Sequence, residues 1–262
     1  MHVLVTGATG GIGRGICEVL AQRESGLTLN VASSQRGDKL DALLQTLRGM
    51  GVQAHGVTGD VTKPEEAQGI VQQAIAAGGD LDALVCVAGA SGPGKLADLP
   101  VEQWDQTFNL NTRSVFLMAQ AAYASLKRTR GSVTAIASMS GLHPHPGYGA
   151  YSPAKAALIM LCRQLAQEWG PEGIRTNTVC PGMVRTPLTE AVYQDADTKA
   201  RREALVPMGR IGRPDDIGHA VHYLIGAGAS YVNGQNLVVD GGVADHMLTM
   251  IPGRPGKPPV KG

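Results

Sequence analysis

Near its amino end the chain reads Val3-Leu4-Val5-Thr6-Gly7-Ala8-Thr9-Gly10-Gly11-Ile12-Gly13. A short apolar run is followed by a glycine-rich turn and then by the start of a helical pattern. Glycines in such a turn let backbone N–H groups approach a pyrophosphate at a helix N-terminus. The spacing differs from the Gly-x-Gly-x-x-Gly fingerprint, and a tight turn with no ligand is the alternative. Its position directly after the first predicted strand favours a nucleotide site.

Short apolar runs alternate with longer amphipathic stretches along the chain. Predicted strands begin at Val3, Leu27, Val52, Leu81, Ser132, Arg175 and Asn236. Predicted helices cover residues 12–23, 38–49, 64–77, 101–128, 151–169 and 214–225. This alternation indicates βαβ units and a parallel sheet. Because crossovers are right-handed, the pattern predicts an α/β fold with a doubly wound Rossmann-type parallel sheet of about seven strands and helices on both faces.

The length of 262 residues is enough for one domain with its own core. We expect a single Rossmann-type domain over residues 1–242, followed by a proline-rich C-terminal tail over residues 243–262. A loose terminus is favoured over a lid for that tail. Within the domain, Thr62 is a candidate N-cap before Pro64, and Pro214 is expected near the first turn of another helix.

Composition excludes several classes of protein. The net charge is +1 and the basic residues are scattered up to the tail, which argues against a nucleic-acid surface. No signal peptide and no apolar run of membrane-spanning length is found, so we expect a cytoplasmic protein. The four cysteines show no metal-ligand spacing and are predicted to be core thiols. They are Cys17, Cys86, Cys162 and Cys180.

The spacing of Tyr151, Lys155 and Ser138 points to proton transfer. Residues four apart share a helix face, so Lys155 is predicted to lie beside Tyr151 near the helix start, where Pro153 is tolerated. A nearby ammonium lowers the pKa of a phenol, so we expect Tyr151 to exchange a proton with an alcohol or a ketone. Ser138 can supply a hydroxyl to the oxygen of that alcohol or ketone if the strand before Ser138 ends beside the start of the helix. Tyr-x-x-x-Lys alone is also a common surface pattern.

Other strand ends carry residues suited to a nucleotide. Asp60 follows the third strand and could accept a hydrogen bond from an adenine amine. Ala88 and Gly89 follow the fourth strand and leave room for a ribose. Open α/β sheets bind ligands at the carboxyl ends of their strands, so these residues define one crevice.

These features together resemble the short-chain dehydrogenase/reductase family, in its 250-residue, 3-oxoacyl reductase-like type, over nearly the whole chain. They are Thr6-Gly7-x-x-x-Gly11-x-Gly13, Asp60, Ala88-Gly89, Asn111, Ser138, Tyr151-x-x-x-Lys155, Pro181-Gly182, Thr186 and Asp240-Gly241-Gly242. The resemblance implies an NAD(P)-dependent enzyme that interconverts a ketone and a secondary alcohol by hydride transfer.

The resemblance also implies the roles of individual residues. Tyr151 would be the general acid/base, Ser138 would orient the substrate oxygen, Lys155 would lower the tyrosine pKa and bind the nicotinamide ribose, and Asn111 would hold a relay water. Asn109 matches the family pattern less well than Asn111. Expected cofactor contacts are Gly7, Thr9, Gly10, Gly11, Ile12, Gly13, Ser33, Ser34, Arg36, Asp60, Val61, Cys86, Ala88, Gly89, Tyr151, Lys155, Pro181, Gly182, Val184 and Thr186. Expected substrate contacts are Ser138, Met139, His145, Tyr148 and Tyr151.

Two positions depart from the family pattern. Cys86-Val87-Ala88-Gly89 stands where the family usually has Asn-Asn-Ala-Gly, and Ala135 replaces a common asparagine before the serine. Neither change touches the proton-transfer residues, but the hydrogen bonding at this sheet end must differ.

The end of the second strand bears on the choice of dinucleotide. Ser33 stands where NAD-preferring relatives often have aspartate, and Ser34 and Arg36 suit a 2′-phosphate. We therefore favour NADP(H), with NAD(H) possible. Against this, Gly10 stands where many NADP-preferring relatives have a basic residue, and a solvated loop charge explains Arg36 nearly as well.

The sequence does not identify the substrate. The expected walls are residues 91–96, 139–148 and 183–204, and the last of these is a candidate mobile lid. His143-Pro-His145 could suggest a metal ligand pair, but no third ligand is evident, so no metal is expected. A 3-oxoacyl thioester, a polyol, a cyclic alcohol or an aryl ketone would all be compatible.

A non-catalytic redox sensor or scaffold is the competing interpretation, since the fold alone does not prove activity. Retention of the proton-transfer residues favours the enzyme. The resemblance further implies a homo-oligomer, a tetramer or a dimer, paired through helices 101–128 and 151–169. No nucleic-acid or membrane partner is expected.

Overall fold

The computed structural model describes residues 1–246 of the chain, and its centre is a seven-stranded sheet. The strands are β1 (His2–Thr6), β2 (Thr28–Ser33), β3 (Gln53–Thr58), β4 (Ala83–Cys86), β5 (Ser132–Ile136), β6 (Arg175–Pro181) and β7 (Asn236–Val239). All neighbours are parallel, in the order β3-β2-β1-β4-β5-β6-β7. The predicted doubly wound sheet is therefore confirmed.

Helices cover both faces of the sheet. They are α1 (Gly11–Arg23), α2 (Asp38–Gly49), α3 (Pro64–Gly78), α4 (Val101–Phe108), α5 (Ser114–Thr129), α6 (Tyr151–Trp169), α7 (Glu190–Gln194), α8 (Ala196–Leu205) and α9 (Pro214–Ile225). One apolar core joins α1, α2 and α9 to the sheet, and a second joins α3, α5 and α6 to its other face. Because the sheet is covered on both faces, its central strands are continuous apolar runs, as in Val3-Leu4-Val5.

The strand order reverses between β1 and β4, which pair with each other from Val3 to Thr6 of β1. Ligands of doubly wound folds bind at this switch point, outside the carboxyl ends of the strands. The chain places its glycine-rich turn at the end of β1 and Ala88-Gly89 just beyond β4, so both lie at the switch point.

Two local predictions are wrong. The helix predicted over residues 101–128 is interrupted by a π-helical turn at Asn109–Arg113. Thr62 is not an N-cap: Lys63 occupies that position without a side-chain cap, and the Thr62 hydroxyl donates instead to Asp60. The candidate lid over residues 183–204 contains α7 and α8, and Tyr193 on α7 packs with Val206 and Ile211 in a small core. The mobility of this segment stays a prediction.

Other local predictions are confirmed. Pro214 is in the first turn of α9, and Tyr151 is the first residue of α6. The four cysteines are free thiols and are buried. Among residues 1–246, no helix is long and apolar enough to cross a membrane. Of the predicted tail over residues 243–262, positions 247–262 lie outside the described residues.

Candidate active site

The phosphate end of the crevice is built by the turn after β1. Gly7 has a φ of +62°, and a Cβ there would lie 2.7 Å from the backbone nitrogen of Ala88, so only glycine fits. Gly10 is the N-cap of α1, no side chain caps this helix end, and its first turn contains no acid. The first N–H groups of a helix need partners, and the helix dipole favours an anion there. A dinucleotide pyrophosphate fits this arrangement.

Thr6 holds the stretch Cys86-Val87-Ala88-Gly89, which departs from the family's Asn-Asn-Ala-Gly, to the end of β1. Its hydroxyl accepts hydrogen bonds from the backbone N–H groups of Val87, at 3.2 Å, and Ala88, at 3.4 Å, which join the ends of β1 and β4. The Cys86 side chain lies in the apolar core, and burial raises the pKa of its thiol to about 12. The predicted cofactor contact at Cys86 is therefore wrong for its side chain.

The expected adenosine contacts lie at the ends of β2 and β3. Asp60 Oδ1 accepts from the backbone N–H of Thr62 at 2.9 Å and from its hydroxyl at 2.7 Å, and these bonds hold the Asp60 pKa below its ordinary value. The other carboxylate oxygen of Asp60, Oδ2, accepts no hydrogen bond from residues 1–246 and can therefore accept one from a ligand. Ser33 is half-buried, and Ser34 and Arg36 are exposed.

The remaining predicted cofactor residues follow β6, and Thr189 holds that segment in shape. Val184 is buried and Thr186 is half-buried, and the Thr186 N–H donates to the Thr189 hydroxyl at 2.9 Å. That hydroxyl also donates to the Val184 carbonyl at 3.1 Å. Thr189 lies within the candidate lid over residues 183–204, and its role was not predicted from the sequence.

Ser138, Tyr151 and Lys155 converge at the ends of β5 and α6. Ser138 lies just beyond β5, and its hydroxyl accepts from the Ser140 N–H at 3.1 Å. The same hydroxyl lies near enough to the Tyr151 phenol to affect its pKa. One helical turn after Tyr151, the Lys155 ammonium lies 5.8 Å from the centre of the tyrosine ring. Its Nζ donates to the Ile136 carbonyl at 2.8 Å. A hydroxyl, a phenol and an ammonium thus meet beside the switch point.

Burial is the main cause of the pKa shifts of Lys155 and Tyr151. Desolvation lowers the pKa of Lys155 to about 8, because a charged ammonium is disfavoured away from water. Desolvation also raises the pKa of Tyr151, and the nearby Ser138 hydroxyl only partly offsets that rise. The expected lowering of the phenol pKa by Lys155 is therefore wrong for the protein alone, and Tyr151 is a neutral phenol at neutral pH.

Asn111 lies on the π-helical turn and is fully buried, whereas Asn109 is exposed. Its Nδ2 donates to the carbonyls of Ala90, at 2.8 Å, and Thr107, at 3.0 Å, whereas Oδ1 has no donor within residues 1–246. A buried acceptor without a partner is costly, so Oδ1 is suited to a polar ligand group or a water molecule.

Gly89 sets the space between Asn111 and Lys155. A Cβ at Gly89 would lie 2.8 Å from Asn111 Oδ1 and 3.2 Å from Lys155 Nζ. Both polar atoms therefore border the same small space, which has room for hydrogen-bonded atoms only because residue 89 has no side chain.

The substrate wall is formed by the loop before α6. The His145 ring stacks on Tyr148 with centroids 3.7 Å apart, and its Nδ1 lies 3.0 Å from the Ser140 hydroxyl. Met139 lies in the 3₁₀ turn that follows Ser138. His143 is exposed, and in the described part of the chain no three His, Cys, Asp or Glu residues are grouped to hold a metal.

A cavity of about 520 Å³ borders the same loop. Ser140 and His145 line it together with Leu96, Leu142 and Pro153. It is mostly apolar and lies between the loop after β4 and the start of α6.

Comparison with known proteins assigns the family. A family model described as enoyl-(acyl carrier protein) reductase matches residues 7–244. The dehydrogenase/reductase SDR family member 4 of Sus scrofa is 34% identical over 247 residues, which are 93% of this chain and 87% of that protein. The chain belongs to the short-chain dehydrogenase/reductase family. Like other members, it is an oxidoreductase that acts on alcohol or carbonyl groups.

Further relatives agree with this assignment. L-rhamnose 1-dehydrogenase (NAD(P)(+)) of a Sphingomonas species is 34% identical over 243 residues, 92% of this chain and 95% of that protein. A crystal structure of a putative gluconate dehydrogenase from Agrobacterium tumefaciens matches with a TM-score of 0.86 and 28% identity, covering 92% of this chain and 95% of that one. A short-chain dehydrogenase/reductase from Mycobacterium marinum matches with a TM-score of 0.84 and 34% identity, covering 92% and 94%.

Proposed function

We propose that this protein interconverts a ketone and a secondary alcohol with an NAD(P) cofactor, using Tyr151 as the general acid/base. The observation that carries the proposal is the convergence of the Tyr151 phenol and the Ser138 hydroxyl, with the Lys155 ammonium behind them. Two neighbouring hydroxyls can both reach one substrate oxygen placed between them.

Each residue has a defined part in the reduction. When bound, the nicotinamide supplies the hydride to the carbonyl carbon. Tyr151 donates its proton to the oxygen on which charge develops, and Ser138 donates a hydrogen bond to the same oxygen. Oxidation of the alcohol uses the same groups in reverse, with Tyr151 accepting the proton.

Lys155 and Asn111 support the proton transfer. The Lys155 ammonium stabilises the phenolate that Tyr151 becomes after it has donated its proton. The free Oδ1 of Asn111 is placed to hold a water molecule next to Lys155, through which a proton can return from solvent. The raised pKa of Tyr151 keeps the phenol in its acid form at neutral pH, which favours reduction there and oxidation at higher pH.

We favour NADP(H) over NAD(H). The end of β2 offers two serine hydroxyls and the exposed Arg36, and a 2′-phosphate suits this set better than a 2′-hydroxyl would. Arg36 forms no ion pair within residues 1–246, so its charge is available to a phosphate. Fluorescence titration of both reduced dinucleotides tests this preference, and tighter binding of NADH would overturn it.

Homo-oligomer formation is also proposed. Phe116 on α5 is 41% exposed and Met160 on α6 is 59% exposed, and a second copy would cover them. Sedimentation velocity tests this, with a dimer or tetramer expected. The free cysteines suit the reducing cytoplasm, where we propose that the protein works.

The activity test is a screen with NADPH and NADH against small ketones, 3-oxoacyl thioesters, sugars, aryl ketones and one enoyl thioester. We expect loss of absorbance at 340 nm with at least one carbonyl compound. Loss with the enoyl thioester alone would instead support reduction of a carbon–carbon double bond, the activity named by the family model's description. Dinucleotide binding with no turnover of any compound would support the non-catalytic sensor.

A further inference from the structure

The hydroxyl of Ser138 is held by a short turn that the proposed mechanism does not use. Ser138 is the N-cap of the 3₁₀ turn Met139–Gly141, and its Oγ accepts a hydrogen bond from the Ser140 N–H at 3.1 Å. That bond occupies one side of the Ser138 oxygen, so the hydroxyl proton is directed elsewhere. Hydrogen bonds in series polarise one another, which makes this hydroxyl a better donor to a substrate oxygen. The direction in which Ser138 donates therefore depends on where the turn places the Ser140 N–H.

The side chain of Ser140 fixes this turn to the loop before α6. Ser140 is only 6% exposed, and its Oγ lies 3.0 Å from Nδ1 of His145. A buried hydroxyl without a partner is costly, so the turn is most stable where this hydrogen bond forms. The His145 ring is restrained in turn, because it stacks on Tyr148 with the ring centroids 3.7 Å apart. Ser140 is thus attached to an imidazole whose own position is fixed.

The backbone of His145 extends the connection to α6. Its N–H donates to the Ser152 hydroxyl at 3.1 Å. Ser152 directly follows Tyr151, the first residue of that helix. Three hydrogen bonds therefore join the Ser138 hydroxyl to the first turn of α6.

These linking side chains lie on a different face of α6 from the reacting groups. Ser140, His145 and Ser152 all line the cavity of about 520 Å³. Each residue advances about 100° around a helix, so Ser152 points away from the face that Tyr151 and Lys155 share. The linking residues therefore support the catalytic hydroxyls from behind, and a substrate oxygen between those hydroxyls does not need to touch them.

We propose that Ser140 and His145 are positioning residues, which hold the Ser138 hydroxyl in the direction that a substrate oxygen requires. This inference rests on the proposed function and adds two residues to its machinery. It also gives His145 a role different from the substrate contact expected from the sequence. Loss of either side chain should slow the chemical step and leave dinucleotide binding unchanged.

The first test measures kcat and KM of Ser140→Ala and His145→Ala with a ketone that the wild-type enzyme reduces. We expect kcat to fall about tenfold in each variant, because small displacements of a catalytic group are expensive. The KM for the ketone and the dissociation constant of NADPH should change less than about twofold, since the lost interaction acts only in the transition state. His145→Asn should restore part of the lost kcat, because its amide can place a hydrogen-bonding atom where Nδ1 lies.

His143→Ala is the matched control, because it is the same change at an exposed histidine of the same loop and should behave as wild type. Thermal unfolding checks that each variant is folded at the assay temperature. Should Ser140→Ala fail this check, Ser140→Cys takes its place, because it fills similar space with a weaker hydrogen-bonding group and should also lower kcat.

A double substitution separates positioning from a general structural role. A Ser138→Ala enzyme has no hydroxyl to position, so adding Ser140→Ala or His145→Ala should change its residual kcat less than about twofold. An equal tenfold loss with and without the Ser138 hydroxyl would overturn the inference. A His145→Ala enzyme that kept its kcat but had a raised KM for the ketone would also overturn it, since the imidazole would then contact the substrate.

The same variants distinguish failure of the inference from failure of the proposed function. If the wild-type protein reduces no compound, or if Ser138→Ala keeps wild-type kcat, the proposed function of this site is wrong and the inference with it. If Ser138→Ala is slow while Ser140→Ala and His145→Ala both keep wild-type kcat, the inference alone is wrong.

Discussion

The ammonium of Lys155 reaches from α6 to the end of β5, where it donates a 2.8 Å hydrogen bond to the carbonyl of Ile136. Ile136 lies two residues before Ser138, so one bond fixes the helix that carries Tyr151 against the strand that carries Ser138. The relative position of the phenol and the hydroxyl therefore depends on a buried charge.

Because the charge of Lys155 is buried, we predict that its removal makes the fold more stable but abolishes turnover. The folded pKa of Lys155, about 8, lies below the ordinary lysine value of 10.5, so the buried charge opposes folding below pH 8 and this penalty fades as the pH rises to 10.5. The shift corresponds to about 3 kcal/mol, an upper value for the gain in Lys155→Met, since the Ile136 carbonyl loses its partner. Urea unfolding should show this variant more stable than wild type at pH 7, by a margin that shrinks toward pH 10, with turnover lost. A margin independent of pH would contradict the buried charge.

Gly89→Ala tests the space between Asn111 and Lys155. The new Cβ would be 2.8 Å from Asn111 Oδ1 and 3.2 Å from Lys155 Nζ, so both groups must move. We expect kcat to fall by about tenfold or more, since small displacements in an active site are expensive. Gly69→Ala in α3 is the control: a Cβ there meets nothing within 4 Å, and the change should stabilise by about 0.5–1 kcal/mol without affecting kcat. Unchanged kcat in Gly89→Ala would show that this spacing is not needed.

Asp216 connects the segment after α8 to the start of α9. It accepts two bonds from Arg210, at 2.7 and 2.8 Å, and one from the Arg213 N–H at 2.7 Å. The Arg210 hydrogen bonds are the main cause that lowers the Asp216 pKa to about 2, so the stabilisation is complete above the ordinary aspartate value of 3.8 and is lost as the pH falls toward 2. Asp216→Asn should lower the free energy of unfolding by about 1 kcal/mol at pH 7.

The loss in free energy of unfolding caused by Asp216→Asn should be smaller at pH 3 than at pH 7. Urea titration of the wild type and the variant at both pH values measures it. Asp105→Asn serves as the control, because Asp105 is exposed beyond the first turn of α4 and its substitution should have no effect at either pH. An Asp216→Asn effect that is equal at both pH values would rule out the titration as its source.

The architecture was predictable because the buried parallel strands are short apolar runs separated by amphipathic stretches. Tyr151 and Lys155 could be placed together because residues four apart share a helix face. The π-helical turn at Asn109–Arg113 was not predictable, because it is a change of backbone hydrogen bonding with no signal in hydrophobic periodicity.

Other features needed three-dimensional information. The direction of the Tyr151 pKa shift depends on burial, which the spacing of residues does not report. The hydrogen bonds by which Thr189 holds the segment after β6 likewise appear only in the fold.

The most direct test of the central claim is the turnover of Tyr151→Phe with a carbonyl compound that the wild-type enzyme reduces. We expect kcat to fall about 10³-fold or more, since proton transfer by a positioned acid contributes rate factors of that order. The dissociation constant of NADPH should stay close to the wild-type value, and Tyr231→Phe, at a fully exposed tyrosine, should behave as wild type in both measurements. A Tyr151→Phe enzyme that kept near-wild-type kcat would contradict the account.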